Sequence, residues 1–159
     1  MTPADALPYG GHHTHRRKEV PVDLVTLYHQ ANDAWNRHDR GAYVALYADD
    51  CEIVAPGSTF KGHQGVLDFW ADSADPFPDN RATPRTVVAD GTTVVEESVW
   101  EGTNTGPLTM PDGSELPPTG AVVSVPYVGV HTVRGGRFVS SHYYWDQMAF
   151  LRPLGLLPG

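Results

Sequence analysis

Seven side chains able to do chemistry, Tyr127, His131, His142, Tyr143, Tyr144, Trp145 and Asp146, fall within 20 residues of one another. An imidazole titrates near neutral pH and can take or give a proton. Phenols can donate hydrogen bonds to an oxygen that gains charge, and a carboxylate beside aromatic rings can have its pKa raised toward a useful value. This density predicts a pocket wall suited to proton transfer. Asp146 carries a second reading: it stands where a strand gives way to QMAFLR, and aspartate there is a preferred helix N-cap, worth about 1 kcal/mol.

The elements that must position these groups are two strands, Ala121–Arg134 and Arg137–Trp145, followed by a helical turn over Gln147–Arg152. Both alternating sets of Val125–Val133 are largely uncharged, which predicts that both faces of the strand are covered. Facing depends on the turn at Gly135-Gly136. A two-residue turn pairs Arg134 with Arg137 and sets His131 opposite Ser140. A three-residue loop over 135–137 pairs Arg134 with Phe138 and sets His131 opposite Ser141, Gly129 opposite Tyr143 and Tyr127 opposite Trp145.

Upstream, Leu24, Tyr28, Ala31 and Trp35, widened by Leu27 and Ala34, form a helical stripe. A short second helix is expected through Tyr43, Leu46 and Tyr47 to about Ala48. A strand over Cys51–Ala55 and a third helix from about Gly62 to Ala74 follow, the latter burying Val66, Phe69 and Trp70. Arg85–Ala89 and Thr92–Gly102 read as strands around Asp90-Gly91, with a Pro/Gly-rich loop after them. Helices first and strands afterwards predict an α+β domain with helices on one face of a curved antiparallel sheet.

Composition narrows the function classes. The chain has 159 residues, enough for one domain with a real core, read as a mobile tail over 1–18 and a single domain over 19–159. A net charge of −8 and the lack of a basic stripe argue against nucleic acid as a partner. No run of ~18 apolar residues or signal-peptide pattern is evident, so no membrane partner and a cytoplasmic location are expected. Cys51, the lone cysteine, reads as a small buried hydrophobe. His12, His13 and His15 make at most a weakly specified metal grip in the tail. The dispersed histidines of the rest predict no metal, and nothing suggests an organic cofactor.

Several segments together resemble one family. WNRHD, YADDCEI, PGSTFKGHQGVLDFW, EGTNTGPL, LPPTG and the ending YYWDQMAFLRPLGLLP are similar to the SnoaL-like polyketide cyclases of the nuclear transport factor 2-like fold, over roughly residues 20–157. The resemblance implies a cone-shaped domain: a highly curved antiparallel sheet wrapped by N-terminal helices around a deep apolar cavity, often a homodimer through the sheet. It also implies departures. The position of the family's acid/base aspartate holds Tyr143, and that of its histidine holds Gly129, with His131 two residues on. Where isomerases of the fold keep their base, this chain has Ala55, and Asn104 replaces a usual histidine. Both cyclase positions face the cavity, which implies the three-residue loop.

On that register the candidate catalytic residues are His131, Tyr143 and Tyr127, and the substrate-binding candidates are Trp35, Trp100, Asn104, Ser141 and Trp145. The facing of Glu97, Trp100 and Asn104 stays open, since strand 92–102 carries valines and Trp100 on opposite parities. Three functions fit: a cofactor-independent acid/base enzyme (cyclisation, isomerisation or dehydration of an apolar ring-bearing molecule), a non-catalytic binder of such a molecule, or an assembly module using Val128 or Val130 on the open sheet face.

Overall fold

A computed structural model describes residues 23–157. The expected tail over 1–18, with His12, His13 and His15, lies outside the described residues. Asp23 caps the first helix, α1 (Leu24–Asn36), its carboxylate accepting from Val25 N at 3.1 Å and Thr26 N at 3.4 Å. The stripe read from the sequence is the buried one: Leu27, Tyr28, Ala31, Ala34 and Trp35. His38, in the left-handed region at φ 57°, turns the chain, and Asp39 caps α2 (Arg40–Ala45). This helix ends earlier than expected because Tyr47 already belongs to β1 (Tyr47–Ala55). Gly57, at φ 80°, then leads into a short strand absent from the sequence reading, β2 (Ser58–Lys61).

Helix α3 (Gly62–Ala74) buries Val66, Phe69 and Trp70 as expected. Strands β3 (Arg81–Asp90) and β4 (Thr93–Thr103) form a hairpin, with Pro84 tolerated because β3 is an edge strand. The following loop carries a two-stranded ribbon, β5 (Leu108–Thr109) with β6 (Glu115–Leu116). The long hairpin of β7 (Val122–Arg134) and β8 (Arg137–Trp145) feeds α4 (Gln147–Leu151). Asp146 is the N-cap of α4, accepting from Met148 N at 2.9 Å and Ala149 N at 3.1 Å.

The six-stranded sheet runs β2-β1-β8-β7-β4-β3. It is antiparallel except that β1 lies parallel to β8, which the sequence reading did not anticipate. The helices cover one face. Trp35, Trp70, Phe69 and Tyr43 from three helices interlock with ring centroids 4.6 to 5.9 Å apart. Fully burying such side chains stabilises the fold by about 1.5–3 kcal/mol each. The other face remains open in the single chain, with Val122, Val128 and Tyr144 exposed. The expectation that both faces of β7 are covered therefore does not hold within one chain.

Hairpin register combines both alternatives. Gly135 and Gly136 sit at φ 60° and 75° in a two-residue turn that pairs Arg134 with Arg137. Positive φ at both central residues matches the twist of the flanking strands. The register then slips, with Val133 opposite Phe138 but Thr132 opposite Ser140, so Val139 is an extra, bulged residue. Beyond the bulge His131 faces Ser141, Gly129 faces Tyr143 and Tyr127 faces Trp145. The pocket register implied by the resemblance is present. It comes from a bulge, and the three-residue loop expected to set it is not there.

Candidate active site

The covered face of the sheet and the helices enclose a largely apolar cavity of about 220 Å³. Exposed Ser58, Asp72 and Gln147 among its lining residues mark the opening. Partial burial, then the neighbouring Asp68, raise the Asp72 carboxyl above its ordinary value.

The polar part of the wall is built on the sheet. Strand pairing sets three rows across β4, β7 and β8: Val94, His131, Ser141; Glu96, Gly129, Tyr143; and Ser98, Tyr127, Trp145. Since side chains alternate along a strand, all three rows face the cavity side. Glu96 and Tyr143 flank a residue with no side chain, and the space above Gly129 is taken by its diagonal neighbours. His131 Nε2 lies 3.1 Å from Glu96 Oε1, with both residues buried (His131 3% exposed, Glu96 2%).

Each of the other two polar side-chain atoms of this pair has a partner as well. Oε2 of Glu96 accepts from the Tyr28 hydroxyl, from Ser98 Oγ at 2.5 Å and from the Tyr127 hydroxyl at 3.1 Å. His131 Nδ1 lies 2.8 Å from Ser141 Oγ. Burial pushes the Glu96 carboxyl up, but His131, Ser98 and Tyr28 together outweigh it and hold the group below its ordinary value. Glu96 is therefore a carboxylate, and His131 Nε2 carries a proton toward it. A carboxylate with four donors is a weak base but a strong counter-ion for an imidazolium. Burial, then the charge of Glu96, raises the phenols of Tyr28 and Tyr127.

Among the residues named from the sequence, His131, Tyr143, Tyr127, Trp35, Trp100 and Trp145 all line the cavity. Tyr143 stacks on Phe69, with planes 3° apart and centroids at 5.4 Å. The Trp35 Nε1 donor has no hydrogen-bond partner among the described residues. Trp145 Nε1 donates to Gln147 Oε1 at 2.7 Å.

Two expectations are corrected. Asn104 lies outside the lining: its amide donates to Pro76 O and Gly106 O and accepts from Thr119 N and Oγ1, which fixes the loop after β4. Ser141 is fully buried behind His131, so it contacts the imidazole and has no opening onto a ligand. Glu97 points to the outer face and is exposed. Asp146 also lies outside the cavity lining, where its Oδ1 caps α4.

Glu96 and Tyr28 were not identified from the sequence. The signal for Glu96 was its parity: it shares a face with Trp100, four residues on. Tyr28 stood in the helical stripe, but its contact is 68 residues away and has no local signature.

Other reactive groups lead elsewhere. Cys51 is buried and burial pushes its thiol up, so it does not supply a thiolate. His142 pairs with Val130 on the outer face, away from His131. Among the described residues no three His, Cys, Asp or Glu side chains group as a metal site would need, and no helix is long and apolar enough to cross a membrane.

Comparison with known proteins agrees with this architecture. The profile of the SnoaL-like domain matches residues 28–141. A SnoaL-like polyketide cyclase candidate from Jannaschia sp. CCS1 superposes with a TM-score of 0.74 at 22% identity, covering 89% of this chain and 99% of that one. AclR, a candidate hydroxylase from Streptomyces galilaeus, gives 0.70 at 20% identity over 84% and 96%. IdmH, a candidate polyketide cyclase from Streptomyces antibioticus, gives 0.65 at 26% identity over 82% and 97%. No curated protein matches the sequence significantly. With the profile covering most of the chain and the sheet, helices and cavity arranged as described, the protein belongs to the SnoaL-like domain family of the nuclear transport factor 2-like fold.

Proposed function

We propose that this protein is a cofactor-independent enzyme that moves a proton on an apolar, ring-bearing small molecule, the step common to cyclisation, isomerisation and dehydration. The observation carrying this reading is the buried Glu96–His131 pair in the wall of an otherwise aromatic cavity. Burying a carboxylate costs several kcal/mol unless donors and a counter-charge offset it, and perturbed titratable groups in a cleft mark functional sites. His131 holds the proton removed from the substrate, and Glu96 stabilises the imidazolium that results. The aromatic walls, with Trp35, Trp100 and Trp145, hold the ring system.

The test uses a panel of enolisable ring ketones led by 2-tetralone, with exchange of the α-hydrogens for deuterium followed by NMR. Wild-type protein is expected to accelerate exchange, and His131→Phe or Glu96→Gln to lower the rate by about 10²–10⁴-fold. Tight uptake of the panel, read by tryptophan fluorescence, with no exchange in any member would establish the protein as a non-catalytic binder instead.

A second copy of the chain is proposed to cover the outer sheet face, where Val122, Val128 and Tyr144 are exposed. Sedimentation of the wild type as a dimer and of Tyr144→Asp as a monomer is expected. A monomeric wild type at all concentrations would remove this proposal.

A further inference from the structure

The pair that stores the proton has no nitrogen free to meet a substrate. His131 Nε2 is taken by Glu96 and Nδ1 by Ser141. The chain of contacts continues past Ser141, however. Ser141 Oγ lies 3.1 Å from the Tyr47 hydroxyl, which lies 3.1 Å from the Tyr43 hydroxyl, which lies 3.4 Å from that of Tyr143. Every residue between His131 and Tyr143 is buried, at 4% exposure or less. Tyr143 is half-buried and lines the cavity. Three hydroxyls thus connect Nδ1 of His131 to the Tyr143 phenol on the cavity wall.

The relay starts from a neutral imidazole: with Nε2–H donating to Glu96, its Nδ1 is an acceptor and Ser141 donates to it. Tyr47 then donates to Ser141, Tyr43 to Tyr47 and Tyr143 to Tyr43. Every hydroxyl proton points toward the imidazole.

We propose that Tyr143 is the base that touches the substrate, and that Tyr43, Tyr47 and Ser141 relay its proton to the Glu96–His131 pair. The proposal rests on the acid/base reading above and supplies its route. In the step, a substrate C–H proton moves to the Tyr143 oxygen. The Tyr143 proton moves to Tyr43, that of Tyr43 to Tyr47, that of Tyr47 to Ser141, and that of Ser141 to His131 Nδ1. One bond forms and one breaks at each oxygen. The products are a substrate enolate and an imidazolium beside the Glu96 carboxylate, and the reverse sequence returns a proton to a different substrate atom.

Burial raises the phenols of Tyr143, Tyr43 and Tyr47, so an isolated phenolate is costly and the shift must run along the whole chain. The 3.4 Å link is the longest and lies at the cavity end, where catalytic contacts commonly tighten only once substrate is bound. Ser141, His131 and Glu96 also match the residue types of a hydrolase triad. The matching reaction is excluded because Ser141 Oγ has no opening onto the cavity.

The experiment compares Ser141→Ala, Tyr47→Phe and Tyr143→Phe with the double variant Ser141→Ala/Tyr143→Phe. α-Deuteration of 2-tetralone gives the rate, and quenching of tryptophan fluorescence gives its Kd. Each single variant is expected to lose about 100-fold in rate with Kd within about 3-fold of wild type, and the double variant to lose no more than either single. Links of one relay fail together, whereas separate structural roles multiply. Single-variant rates within about 3-fold of wild type, or losses that multiply in the double, would overturn the relay while leaving the enzyme assignment intact. A wild type no faster than its Glu96→Gln variant would instead remove the acid/base reading, and the relay with it.

Discussion

Glu96→Ala is expected to lower the unfolding free energy by about 3–5 kcal/mol, the range for removing one partner of a buried charged pair. The substitution leaves the Tyr28, Ser98 and Tyr127 hydroxyls and His131 Nε2 without their acceptor in a buried site. Urea unfolding at neutral pH measures the loss. Replacing the pair together, as Glu96→Met/His131→Leu, should recover the part that comes from the orphaned imidazole and the empty volume, because the Tyr28, Ser98 and Tyr127 hydroxyls still lack their acceptor. A Glu96→Ala midpoint equal to wild type would mean that the four donors find other partners.

The same carboxylate sets an acid limit. Its folded-state pKa lies below the ordinary 4.5, so the folded form binds fewer protons than the unfolded chain in this range. The stabilisation is complete above about 4.5 and is lost as the pH falls through the folded-state value. The difference in stability between wild type and Glu96→Gln should therefore shrink as the pH falls below about 4.5.

Much of the frame was readable from residue periodicity, because helix and strand periods depend on local patterning. The α1 stripe, the bounds of α3 and both strands of the long hairpin emerged directly. The site was less legible, for two physical reasons. Facing on β4 hinged on parity: Trp100 inward forces Glu96 inward and Glu97 outward, but Val95 and Val99 on the opposite parity to Trp100 left that facing open. Register on β8 hinged on one bulged residue, Val139, and a bulge depends on packing at both faces rather than on a turn motif. With Phe138 and Ser141 both pointing inward around that bulge, the hydroxyl of Ser141 reaches His131. No spacing rule on the strand alone would have put it there. Contacts such as Tyr28 with Glu96 join elements that only the closed fold brings together.

Gly129→Ala is expected to destabilise the protein by about 1–3 kcal/mol and to uncouple His131 from Glu96. A Cβ at this position would fall 2.7 Å from Glu96 Oε1 and 2.7 Å from His131 Nε2, closer than such atoms approach. The end of a flexible side chain can usually move aside at little cost. Glu96 cannot, because four donors hold it, so either the new methyl distorts β7 or the pair separates. Urea unfolding and a crystal structure of the variant check both consequences: a His131–Glu96 distance still near 3.1 Å with unchanged stability would show that the wall is softer than this. A histidine at 129 would occupy the volume that the Glu96–His131 pair now fills. The two arrangements are mutually exclusive. The graft Gly129→His/Tyr143→Asp should therefore leave the protein inactive and less stable than Gly129→Ala. The same graft made together with Glu96→Ala/His131→Ala, which vacates that volume, should recover the lost stability.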